Sequence, residues 1–195
     1  MLAAAILAAG ESRRMGQPKA LLSYQGTTFL EHLLEITRQP RIGIQKIVLG
    51  AGAEEIRARL SGRTEEIVVN PEWRRGQLSS IQAAIRSLPR GETEGLVLCP
   101  VDHPLVSAGL IQGLVRAFDG CRKLIVVPAH AGRRGHPVIF RASLYEELLA
   151  ASDDVGAREV VRAHPEEIEE MATDEEGVIL NLNDPETMLR ALGKL

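Results

Sequence analysis

Short apolar runs alternate along this chain with stretches whose apolar residues recur at helical spacing. Ala3 to Leu7 is an unbroken apolar run closed by Gly10, which predicts a first, central strand. Phe29, Leu30, Leu33 and Leu34 predict a helix from Phe29 to Arg38, with Thr27 or Thr28 as its cap. A strand from Ile44 to Leu49 stops at Gly50, a short helix covers Glu54 to Leu60, and a third strand, Glu66 to Val69, ends at Asn70-Pro71. Gln77 to Leu88 reads as a helix, with Gly76 or Ser79 near its start.

The second half continues in the same manner. Gly95 to Leu98 predicts a strand interrupted by Pro100, Leu110 to Phe118 a helix, and Lys123 to Val127 a strand stopped by Pro128. A polar, glycine-rich loop from Ala131 to Gly135 leads into a short strand, Pro137 to Phe140. Leu144 to Ala150 and Ala157 to Ala163 read as helices, Ile168 to Ala172 and Val178 to Leu182 as late strands. Pro185 to Leu192 closes the chain as a helix with Pro185 in its first turn. Strands alternating with helices predict an α/β fold with helices on both faces of a mostly parallel sheet. No repeat or linker divides residues 1 to 195, so one domain is expected.

Composition narrows the possible functions. At 45% hydrophobic and 25% charged residues the chain reads as an ordinary globular protein. Aromatics are only 3%, which leaves Ala, Leu, Val and Ile to build the core and offers little for stacking on single-stranded nucleic acid. A net charge of −3 argues against a duplex-DNA binder. Cys99 and Cys121 lie far apart without metal-ligand spacing, so a reducing, cytoplasmic setting is expected. The opening run lacks the basic flank of an export signal, and no stretch is apolar for long enough to span a membrane.

The loop after the first strand holds the first candidate chemistry. Gly10 and Gly16 fit neither the Gly-x-Gly-x-x-Gly spacing of a dinucleotide loop nor the Gly-Lys-Ser/Thr ending of an ATPase loop. What the loop does carry is three cations, Arg13, Arg14 and Lys19, close to backbone amides. Guanidinium and ammonium groups match phosphate oxygens well, while surface ion pairs are the plainer alternative. Asp102, just past the strand at Leu96, lies at the same carboxyl edge of the sheet. It is either a metal ligand or a turn and cap residue before Pro104.

The stretch Leu7-Ala-Ala-Gly-Glu-Ser-Arg-Arg-Met-Gly-Gln-Pro-Lys-Ala-Leu-Leu22 resembles the signature loop of nucleotidyltransferases with a glycosyltransferase-A-like fold. Within them it is most similar to the molybdenum cofactor cytidylyltransferase and guanylyltransferase group. The likeness continues through Val-Asp102-His-Pro104, Asn181-Leu-Asn183-Asp184-Pro185-Glu186 and Gly135-His136-Pro137, and so covers nearly the whole chain. It implies a three-layer α/β/α domain around a mixed, mostly parallel sheet.

The same resemblance implies site roles. Leu7, Ala8, Ala9 and Gly10 would hold the nucleotide, Arg14 would contact the triphosphate, and Lys19 would support the reacting phosphates. Asp102 and Asn183 would bind Mg²⁺, with Asp184 as a substitute for Asn183. Asn70, Ser79 and Ser80 would line the nucleotide cleft, though serines at a helix start are also common caps. Trp73 is either a ligand contact or a partly exposed loop residue. Arg134, Gly135 and His136 would meet the acceptor, and Asp153 to Arg158 would close the acceptor loop. The pairs Glu166-Glu167 and Glu169-Glu170 read as a solvated face.

The implied reaction moves a nucleoside monophosphate from CTP or GTP to the phosphate of molybdopterin carrying molybdenum, releasing pyrophosphate. Ala9 in place of a second glycine and the Gly135-His-Pro137 segment favour CTP, whereas Asn183 favours GTP. A sugar-1-phosphate nucleotidyltransferase and a cofactor-binding chaperone for a partner molybdoenzyme are the competing expectations. Neither nucleic acid nor membrane is an expected partner.

Overall fold

The computed structural model describes residues 1–60 and 66–193. Strand β1, Leu2–Ala8, leads through a long loop to a small hairpin, β2 (Ser23–Tyr24) and β3 (Thr27–Thr28), and then to helix α1, Phe29–Ile36. Thr28 is the cap of α1: its hydroxyl accepts from the Glu31 amide at 3.2 Å, and Glu31 accepts from the Thr28 amide at 2.9 Å. Next come β4 (Ile42–Leu49), α2 (Ala53–Arg59), β5 (Ile67–Val69), α3 (Gln77–Arg86), β6 (Gly95–Pro100) and α4 (Ala108–Gly120). The chain finishes with β7 (Ile125–His130), β8 (Arg133–Arg134), β9 (Val138–Arg141), α5 (Tyr145–Ala150), α6 (Arg158–Ala163), β10 (Ile168–Ala172) and α7 (Pro185–Leu192).

The main sheet runs β10-β7-β9-β6-β1-β4-β5, with β8 paired to β7. All of its pairs are parallel except those made by β9 and β8. This is the mixed, mostly parallel α/β arrangement expected. Every residue of β1 is buried, and its alternate side chains serve two cores. Leu2, Ala4, Ile6 and Ala8 pack with α1, α2 and α4, whereas Ala3, Ala5 and Leu7 pack with α3, α5 and α6. The carboxyl ends of β1, β4, β5 and β6 therefore open together on one edge, where ligands bind in folds of this type.

Three sequence expectations need correcting. Val178 to Leu182 is not a strand: a 3-10 turn, Glu176–Ile179, occupies its start, and an irregular segment follows. Tertiary contacts hold its backbone instead, because the Val178 carbonyl accepts from the His136 amide at 2.8 Å and the Leu182 amide donates to the Asp102 carbonyl at 2.8 Å. Pro128 does not stop β7, which continues to His130. The β9 pairs end at Val126 and the β8 pairs begin at Ala129, so the missing N–H falls in the gap between two ladders while the Pro128 carbonyl accepts from the Gly135 amide at 2.9 Å. Pro100 likewise ends β6 opposite Leu7 instead of interrupting it. Helices α1 and α3 each end two residues before their apolar spacing suggests. The β2–β3 hairpin turns on Gln25 and Gly26, both at positive φ.

The irregular late segment depends on a glycine. A Cβ at Gly177 would stand 1.6 Å from the Leu105 carbonyl oxygen, a contact that backbone must move to relieve. Gly177→Ala is expected to destabilise the protein by about 3 kcal/mol, seen as a lower urea midpoint at unchanged slope.

Candidate active site

The loop that follows β1 is held open by its neighbours. The Leu7 carbonyl accepts from the Val101 amide at 3.1 Å and the Ala9 carbonyl from the Ala51 amide at 3.0 Å, which extends the sheet's bonding past the strand end. Ser12, at φ 53°, and Gly16, at φ 70°, then reverse the chain around the turn Arg13–Met15. The Ser12 hydroxyl accepts from the Lys19 amide at 3.1 Å and so fixes where Lys19 leaves the loop.

Lys19 points back over the sheet. Its Nζ lies 3.3 Å from Asp102 Oδ2 and also donates to Asn183 Oδ1, with its side chain only 12% exposed. Asp102 is carried just beyond β6, and the Leu182 bond to its carbonyl ties the segment bearing Asn183 to the same place. Residues far apart in sequence thus bring one cation and two hard oxygens together. That donor pair fits Mg²⁺, which takes one or two protein oxygens and fills its shell with phosphate oxygens and water. Among the described residues no group of three His, Cys, Asp or Glu side chains forms a metal cluster. Asp184 serves a different purpose: its Oδ1 accepts from the Thr187 amide at 2.8 Å and caps α7. That bond holds its carboxyl below the usual range.

A cleft of about 410 Å³ lies over this edge, bordered by Leu7, Ala8, Ala9, Gly10, Lys19 and Asp102. The start of α3 reaches it through Gly76, Gln77 and Ser80. No side chain caps that helix start, so its free N–H groups and positive dipole end lie beside the cleft. Of the three polar residues expected there, only Ser80 borders the cleft. Asn70 is buried, donating to Ser79 Oγ at 2.9 Å and Ser80 Oγ at 3.1 Å, while its Oδ1 accepts from the Glu72 amide. Ser79 donates to the carbonyl of Gly76 or Glu72 and faces away. Arg14 is exposed outside the cleft, its charge near Asp184, and Arg13 pairs with Glu11 at 2.7 Å.

The acceptor-side expectations divide in the same way. His136 borders the cleft, whereas Arg134 stands on β8 and pairs with Glu170 at 2.6 Å. Gly135 is required by packing, since a Cβ there would meet the Val178 carbonyl oxygen at 2.2 Å. Beside His136 lies His103, with ring centroids 4.8 Å apart and the Nδ1 of each buried without a hydrogen-bond partner. Burial pushes both imidazoles below their ordinary range, His136 to about 4; proximity of the two rings lowers His136 further, and Asp102 opposes the shift in both. His103, Gln77 and Asn181 reach the cleft without having been singled out from the sequence. For His103 the signal was its place beside Asp102. Arg158 also reaches it, from the first residue of α6.

A family model described as the MobA-like NTP transferase domain matches residues 4–168. The chain is 32% identical over 197 residues to nicotine blue oxidoreductase of Paenarthrobacter nicotinovorans, covering 96% of this chain and 94% of that protein. To molybdenum cofactor guanylyltransferase of Cereibacter sphaeroides it is 32% identical over 189 residues, covering 95% and 93%. The solved structure of Rv0371c from Mycobacterium tuberculosis H37Rv matches with a TM-score of 0.85 at 28% identity, over 100% of this chain and 99% of that one. Its complex with manganese matches at 0.82 and 26%, with the same coverage. No helix of the described residues is long and apolar enough to cross a membrane.

The histidine pair sets a pH response. Unfolded, His136 takes up a proton near pH 6.5; folded, only near 4, so between these values the unfolded chain binds more protons. Stability present above pH 6.5 is therefore expected to fall as pH drops through this window. In urea titrations, His136→Gln should flatten that fall by at most about 1.4 kcal/mol per pH unit.

Proposed function

The chain belongs to the MobA-like NTP transferase domain family and is a nucleotidyltransferase, and we propose that it transfers a nucleoside monophosphate from an NTP to the phosphate of molybdopterin carrying molybdenum. The observation that carries this reading is the meeting of Lys19 with Asp102 and Asn183 beside the free end of α3. Relatives named as molybdenum cofactor guanylyltransferases, alike over nearly their whole length, support the acceptor.

The acceptor phosphate, already ionised at neutral pH, attacks the α-phosphorus, and the bond to the departing pyrophosphate breaks. No side-chain nucleophile is needed. Lys19 places a positive charge where negative charge gathers on the phosphates, in a setting that is mostly shielded from water. The backbone of Leu7 to Gly10 and the start of α3 hold the nucleotide, and Arg14, on the loop's outer side, meets the outer phosphates. Asp102 and Asn183 would hold Mg²⁺, which when bound neutralises the α-phosphate as a Lewis acid. The manganese complex of the similar Rv0371c supports a divalent ion in this fold. His136, neutral and half-buried, faces the acceptor.

CTP is the proposed donor, because Ala9, which borders the cleft, stands in place of a second glycine and Gly135-His-Pro137 resembles the cytidylyl side of the family. The oxidoreductase name of one full-length relative favours a second reading, in which the same cleft holds molybdenum cofactor for a partner molybdoenzyme. Delivery that survives Asp102→Ala while turnover vanishes would mark that role.

With Mg²⁺, cofactor and each NTP in turn, pyrophosphate should appear fastest with CTP, and Asp102→Asn should slow it by roughly 10³-fold, the scale seen when one transition-state contact is removed. Absence of pyrophosphate with every NTP, from folded protein, would sink the transfer reading. Ala9→Gly is expected to shift the CTP-to-GTP ratio of kcat/KM by about tenfold towards GTP, equivalent to about 1.4 kcal/mol.

A further inference from the structure

The cleft is chemically lopsided. Its ionisable side chains, Lys19, Asp102, His103, His136 and Arg158, gather at the end served by β6, β9 and α6. The opposite end, past β4 and β5, is walled by Pro18, Ile56 and Trp73, and the charged side chain placed against it is Arg74, over the indole. In the sheet, β6, β1, β4 and β5 lie in that order. The Trp73 side chain stands beside Gly50 at the end of β4, two strands along the edge from the β6 end that carries Asp102, with strands about 4.8 Å apart. A nucleotide with its α-phosphate at Lys19 therefore directs its base towards Trp73.

Trp73 is held there by backbone. A Cβ at Gly50 would lie 2.6 Å from the Trp73 Cβ and 2.7 Å from the Ala9 carbonyl oxygen, so only glycine lets the indole come this close to the ends of β1 and β4. The turn Trp73–Arg75 is fixed from behind, because the buried Asn70 side chain accepts the Glu72 amide and donates to Ser79 and Ser80. Arg75 pairs with Glu72 at 2.7 Å and with Asp153 at 2.6 Å, which pins the turn from the other side. The Arg74 guanidinium lies 4.4 Å from the centroid of the indole.

We infer that Trp73 is the stacking wall for the nucleobase of the NTP, setting nucleotide affinity without choosing the base. This rests on the nucleotidyltransferase reading of the same cleft. Stacking on an aromatic ring accepts every base, so selection between CTP and GTP falls to other positions such as Ala9. Asn70 and Ser79 then act as positioning residues, holding the turn that carries the indole.

Trp73 is the chain's single tryptophan, so its emission reports on this wall alone. Titrating the protein with CTP or GTP and Mg²⁺ should quench that emission saturably. Trp73→Ala should raise KM for both nucleotides by the same factor, about tenfold or more, with kcat and the KM for acceptor unchanged. Trp73→Phe, which keeps a stacking ring, should restore most of the affinity and guards against a variant that merely folds poorly. Calorimetric NTP binding without a change in emission, or an unchanged KM in folded Trp73→Ala, would overturn the inference. Quenching by NTPs without pyrophosphate release on any acceptor would leave the wall standing and remove only the transfer reading.

Discussion

The first strand has no face that meets water, and most of the molecule follows from that. Buried on both sides, β1 must be apolar at every position, and the small side chains of its alanines let helices approach from above and below. Bonded to β4 on one side and β6 on the other, it can turn polar only where it leaves the sheet. The loop after Ala8 is that exit. Lys19 on this loop is thereby set beside an acid carried just past the neighbouring strand, and a sequence separation of 83 residues becomes an ion pair.

Much of this was legible in the residues. The unbroken apolar run of β1 could be nothing but a central strand, and the loop's sixteen-residue likeness pointed to the family that the comparison with known proteins then gave. What escaped was whatever tertiary contact decides. Val178 to Leu182 is apolar enough for a strand, yet its carbonyl and amide groups go to His136 and Asp102, and no ladder remains to be made. Asn70 and Ser79 carry polar groups suited to a ligand but turn them on each other. Sequence shows that a polar residue is near a site; it does not show which way the side chain faces.

Burial and charge divide the labour along the cleft. At one end an ammonium, a carboxylate and two neutral imidazoles lie close together, an environment in which water is scarce and each charge acts strongly on its neighbours. At the other, an indole and aliphatic side chains give shape and dispersion contact, with charge only from Arg74 over the indole. A nucleotide is itself built this way, anionic at one end and flat and weakly polar at the other. The cleft repeats that polarity in protein groups.

The bond from the Leu182 amide to the Asp102 carbonyl also has a meaning for synthesis. During translation the loop, its lysine and Asp102 are all made well before Asn183, so half of the oxygen pair waits through 81 residues of synthesis for the other half. The contacts among Lys19, Asp102 and Asn183 form only once the late segment, with Gly177 packed against Leu105, is bonded to the middle of the chain. Order of synthesis thus makes the completed oxygen pair a later event than the loop and strand that first present Lys19 and Asp102.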